Sequence, residues 1–233
     1  MSTTLRIDHR FRGPDGSGNG GWTAGALAAF LDPGDRPVEV TLRRPPPLDR
    51  DLPVEREGDT ARLLDDAEAG RPLVVAAALV ETDLPTVAAV DATTAAAAEA
   101  GFRGHHDHPF PGCFACGPDR AEGDGLRIFP GPLPGGGVGA TWTPGEDVDL
   151  ATTWAALDCV GGWAGDIASD HPMVLGRITV AVTSMPTAGT PYVVTGGLLG
   201  TEGRKTSTAA TLHGPGGEVL GRAAHVWISV PNW

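Results

Sequence analysis

The chain has 233 residues and a hydrophobic fraction of 41%, enough for a substantial core, but its 29 acidic against 17 basic residues give a formal charge of −12. That field repels polyanions at long range, and no basic run offsets it, so nucleic acid is excluded as a partner. No apolar stretch approaches the ~20 residues of a membrane span, residues 1–10 lack the apolar core of a signal peptide, and three cysteines make no disulfide framework, so a cytoplasmic, reducing location is expected, with no membrane partner.

Residues 5–11 alternate as a half-exposed strand should. A glycine-rich turn, residues 13–21, leads into a helix predicted over 22–31. There Ala26, Leu27, Phe30 and Leu31 recur at helical spacing, Asn19 serves as N-cap and Gly34 as a stop. Strand patterns follow at 38–44, ended by Pro45 to Pro47, and then at 52–57, Thr60–Leu64 and 73–82. Gly58-Asp59 marks a hairpin between two of them. Residues 85–112 read as a connector, whose Ala-rich piece at 95–100 has no amphipathic face long enough to predict a helix.

The second half repeats the plan. Residues 126–129 and 137–143 read as an opening hairpin, and 151–167 as an apolar helix. Strands are expected at 176–183, 192–199, 204–212 and 219–230, with turns at 200–203 and 214–217. The order is strand, helix, then four strands, twice over. One helix per half cannot supply the crossovers that parallel neighbours require, so the sheet is predicted to be mostly antiparallel. The fold class is therefore α+β in two tandem units, residues 1–98 and 125–233, joined by a connector at 99–124.

Short motifs carry a family resemblance. Asn19-Gly20-Gly21-Trp22, with the Ala/Leu segment after it, resembles the motif that opens the central helix of hotdog-fold acyl-CoA thioesterases of the phenylacetate-degradation type. Trp154-Ala-Ala-Leu-Asp158-Cys-Val-Gly-Gly-Trp163 resembles the middle of that helix in a second copy. Cys113-Phe-Ala-Cys116-Gly117, with Gly125-Leu126-Arg127, resembles the stretch before the first strand in thioesterase-superfamily chains.

The resemblance implies a double hotdog that hydrolyses acyl-CoA or acyl-carrier thioesters without a metal or redox cofactor. It also makes a dimer of such chains the expected assembly. In that enzyme type a His-Gly-Gly motif is followed nine residues later by an acid. The glycine amide faces the thioester oxygen, and the acid from the partner helix serves the attacking water. Here the motif is divided: Asn19 stands at the histidine position with Ala28 nine residues on, whereas Asp158 has Asp149 nine residues before it. One composite catalytic site is implied, with Asn19, Gly20 and Gly21 from the first copy and Asp158 from the second.

The chemistry of these residues points the same way. A helix N-terminus offers free N–H groups and positive dipole character to an oxyanion. Asp158 is the only charge in residues 155–164, so desolvation should raise its pKa and its strength as a base. Thr152 and Thr153 are the nearest polar candidates to partner it. With Trp22 and Trp154 they are the expected substrate-binding neighbours, and Arg204 and Lys205 are candidates for CoA phosphates.

Other patterns read more plainly. Gly16, Gly18 and Gly21 satisfy a dinucleotide-binding fingerprint, with Glu39 following, but no second helix follows residues 38–44 to complete a βαβ unit. Cys113-x-x-Cys116 with His105, His106 and His108 invites zinc. Zinc sites normally draw their second half from a separate hairpin, however, so an unligated loop is expected. Cys159 reads as a small core residue. The rival functions are a non-catalytic acyl-binding or scaffold protein, in which Asp158 is structural, and a hotdog hydratase or dehydratase. The latter's Asp-x-Asn-Pro-x-His string is absent from the chain.

Overall fold

The computed structural model describes residues 3–70, 72–168 and 172–230. Its strands are β1 Thr4–Arg6, β2 Val38–Leu42, β3 Asp51–Glu57, β4 Thr60–Leu64, β5 Leu73–Leu79, β6 Gly131–Pro132, β7 Val138–Trp142, β8 Met173–Val182, β9 Tyr192–Glu202, β10 Lys205–His213 and β11 Val219–Ser229. The α-helices are α1 Gly20–Ala28, α2 Ala92–Glu99 and α3 Leu150–Ala164. The eleven strands form one sheet in the order β1-β3-β4-β5-β2-β8-β11-β10-β9-β7-β6. Every pairing between them is antiparallel.

Strands β1 to β5 occupy one side of the sheet and β6 to β11 the other, and they meet where β2 pairs with β8. That seam is a run of β-branched residues, with Val38 opposite Val180 and Val40 opposite Ile178, which suits a pleated surface buried on one face. Along β11 the inward positions Gly221, Ala223, His225 and Trp227 are buried, as the two-residue period of a strand requires. Among the described residues no helix is long and apolar enough to cross a membrane.

The two central helices pack directly on each other because α1 presents glycines at the crossing. A methyl group at Gly25 would lie 2.8 Å from Ala151 Cα and 2.8 Å from Trp154 Cβ, and one at Gly21 would overlap Asp158 Cβ. These are i and i+4 positions on both helices, so two adjacent ridges interlock. α1 starts at Gly20 because the Asn19 side chain accepts a hydrogen bond from Trp22 N, the N-cap expected of it. α3 starts behind a capping box between Asp149 and Thr152.

Three local expectations are corrected. Residues 5–11 are a strand only as far as Arg6, and a 3₁₀ turn follows at His9–Phe11. The Ala-rich piece does form a helix, α2, because Asp91 caps it by accepting from Thr94 N. Residues 126–129 do not open the hairpin: β6 at Gly131–Pro132 does. Instead, the amides of Leu126 and Ile128 donate to the carbonyls of Phe114 and Ala115 in the cysteine loop.

Candidate active site

The N-terminus of α1 and the middle of α3 bring Asn19, Gly20, Gly21 and Asp158 together. Gly21 N–H donates to Asp158 Oδ2 at 2.8 Å, across 137 residues of chain. The other carboxyl oxygen, Oδ1, is buried without a hydrogen-bond partner among the described residues. Asp158 is 2% exposed. Burial pushes its carboxyl up to about 8; the Gly21 amide opposes that shift, and the charge of Cys113 adds to it. A group held there is mostly a neutral acid at neutral pH and a carboxylate in mildly alkaline solution.

Asn19 Oδ1 is occupied by the cap, while its Nδ2 faces Cys113 Sγ at 3.6 Å and Cys159 Sγ at 3.7 Å. Gly20 N–H, at the first turn of α1, has no hydrogen-bond partner among the described residues. A cavity of about 250 Å³ opens beside these groups, with Asn19, Gly20, Asp158 and the three cysteines on its wall. Leu175 of β8 closes it against Gly20, where an added methyl group would lie 2.8 Å from Leu175 Cδ2. A second cavity of about 720 Å³ shares Leu42, Arg43, Gly176 and Ile228 with the first. Arg177 and Lys205 stand on its wall.

The remaining predicted residues lie elsewhere. Thr152 and Thr153 spend their hydroxyls on the α3 cap: Thr152 Oγ1 accepts from Asp149 N at 2.8 Å, and Thr153 Oγ1 donates to Asp149 O at 2.8 Å. Neither reaches Asp158. Trp154 is 1% exposed and packs against Gly25. The Trp22 ring stacks on Phe11 with centroids 4.0 Å apart, and neither tryptophan lines either cavity. Arg204 is exposed in the turn before β10, next to Lys205.

Sequence spacing did not place Cys159 with the other two cysteines. All three are free and buried, and their sulfurs lie within 4.8 Å of one another. Hydrogen bonds from the Cys116 and Cys159 thiols hold Cys113 well below the usual thiol range. Burial pushes Cys116 up, and Cys159 is raised by its bonds to Cys113 and Cys116. His108 joins the group, with Nε2 3.3 Å from Cys116 Sγ.

No protein-family model matches the sequence, and no curated protein does. Solved structures resemble it over nearly their full length. A hotdog-fold protein of unknown function from Alicyclobacillus acidocaldarius superposes with a TM-score of 0.59 at 12% identity, over 99% of this chain and 92% of that one. A putative thioesterase II from Thermobifida fusca gives 0.61 at 11% identity, over 98% and 96%. The chain has the hotdog fold. A putative thioesterase from Novosphingobium aromaticivorans adds a TM-score of 0.59 at 15% identity, over 98% and 94%. In this hotdog chain, the sheet and its two crossing helices position the N-terminus of α1 against Asp158.

Proposed function

We propose that this protein is an acyl-thioester hydrolase, acting on acyl-CoA or acyl-carrier substrates at one composite site between two tandem hotdog units, residues 1–98 and 125–233. The observation that carries the reading is the 2.8 Å hydrogen bond from Gly21 N–H to Asp158, formed at a helix N-terminus on the wall of a cavity. The thioester oxygen takes the Gly20 N–H, where the helix N-terminus favours developing negative charge. Gly21 holds the Asp158 carboxyl in place by Oδ2, leaving Oδ1 to take a proton from the attacking water. The water oxygen adds to the carbonyl carbon, the C–S bond then breaks, and the thiolate leaves, taking back the proton from Asp158 to give the free thiol and the carboxylic acid. Around the adjoining cavity Arg177 is paired with Glu39 and Glu202 shares the wall, so among the described residues Arg43 and Lys205 are the cations left to meet CoA phosphates on so acidic a chain.

The test is thiol release from a panel of short, long and aryl acyl-CoAs. The Asp158→Asn protein keeps an oxygen for Gly21 but cannot act as a base, and its rate should fall at least ~100-fold. The wild-type rate should rise with pH and level off above about 8, as the carboxyl ionises. Equal rates in both proteins would remove Asp158 from the chemistry. An absence of release from every substrate would favour the non-catalytic acyl-binding protein.

A further inference from the structure

The three cysteines come from two separate parts of the chain. Cys113 and Cys116 sit on a loop tied down by Arg120, itself 4% exposed, whose Nε donates to Gly112 O at 2.8 Å. Cys159 projects from α3 beside Asp158. Cys113 Sγ and Cys159 Sγ are 3.7 Å apart, far beyond the ~2.05 Å of a disulfide. The separation is instead close to the ~3.8 Å edge of a tetrahedron built on metal–sulfur bonds of ~2.3 Å. An odd number of thiols cannot all pair off, and burying three of them together on one cavity wall calls for another purpose.

The surroundings offer polar groups to the sulfurs. Asn19 Nδ2 faces Cys113 and Cys159, and His108 Nε2 faces Cys116. Phe110 N–H donates to His108 Nδ1 at 2.9 Å, which leaves the proton of the neutral ring on Nε2, directed at the sulfur. His108 is therefore placed as a donor to a sulfur ligand rather than as a ligand itself. Gly117 is required by the loop, since a methyl group there would run into Pro111 O and Cys113.

We propose that Cys113, Cys116 and Cys159 together bind one thiophilic divalent cation, zinc in the first instance, as three thiolates. Each thiol gives up its proton to solvent on binding. The fourth position is left to water or a ligand from the cavity whose wall the sulfurs share with Asp158. Bound there, the ion ties the cysteine loop to α3 and, through Asn19, to the cap of α1. Sequence spacing alone supplied one Cys-x-x-Cys pair; the fold supplies the third ligand.

The experiment is a titration of the full, reduced, chelator-stripped chain with zinc and with cobalt against a chromophoric competitor, with metal content read by mass spectrometry. One ion per chain is expected, and cobalt should give the thiolate charge-transfer and d–d bands of a tetrahedral site. Cys159→Ser and Cys113→Ser should abolish binding. His108→Ala and Asn19→Ala should weaken it about 10- to 100-fold, as supporting groups do. Protection of all three thiols from alkylation by zinc, in the wild-type chain, gives a readout that needs no variant to fold. Failure of the reduced wild type to bind either metal stoichiometrically, or full binding by Cys159→Ser, would overturn the proposal.

Discussion

Asp158 and His225 are both buried against their ordinary titration, in opposite senses. The folded carboxyl keeps its proton up to about 8, whereas the unfolded chain releases it near ~3.9. Between those values the folded chain binds the extra proton, so stability falls by about 1.4 kcal/mol per pH unit as pH rises. His225 is pushed down to about 4 by burial, while the unfolded ring takes a proton below ~6.5. Its contribution is therefore lost as pH falls through that window, with about the same slope. The two effects offset one another from about pH 4 to 6.5, and above that only the Asp158 slope remains. Urea unfolding of wild type and Asp158→Asn from pH 5 to 8 should show a stability difference that widens in favour of the variant by about 1.4 kcal/mol per unit. A constant difference would mean that the carboxyl is not held protonated. At this scale, Asn19 as cap and Asp158 as a lone desolvated acid were legible from immediate neighbours. The meeting of Cys113 with Cys159 was not, because 46 residues and two elements separate them. Nor was the use of Thr152 and Thr153 in a cap: the helix was expected from residue 151, but Asp149 was not read as its N-cap.

At the level of elements, the strands were readable because their alternation and glycine turns are local signals. The misses came where a single side chain decided the structure, as Asp91 does for α2, or where a partner from another region did. Residues 126–129 are one such case: their amides go to the cysteine loop. The α1–α3 crossing offers the sharpest test. Gly25→Ala on an isolated helix would stabilise by ~1 kcal/mol. In this crossing the added methyl group meets the Ala151 backbone and Trp154 at 2.8 Å, and overpacking of that kind costs ~1–3 kcal/mol. The net expectation is a less stable protein with unchanged helical content, measured by chemical denaturation followed by circular dichroism. A rise in stability would place the helices farther apart than this crossing does.

Across the whole molecule, the question is whether strands from the two halves of the sequence melt as one body. Chains above ~150 residues commonly unfold through intermediates, so size alone argues for two transitions. The connections argue for one. β2 bonds to β5 on one side and to β8 on the other, the helices interlock through Gly21 and Gly25, and one buried cluster runs from Val40 and Leu63 to Leu212 and Trp227. Unfolding either half alone would expose the β2–β8 seam and leave Asp158 without Gly21. Calorimetry should therefore give a single peak of about 160 kcal/mol near 60 °C, at ~0.7 kcal/mol per residue, with a calorimetric to van't Hoff ratio close to one. Gly25→Ala should move that whole peak down in temperature, because the crossing it loosens belongs to both halves. Two peaks, or one shifted shoulder in the variant, would mean that the seam is weaker than either half. A site built across it would then open before the fold is lost.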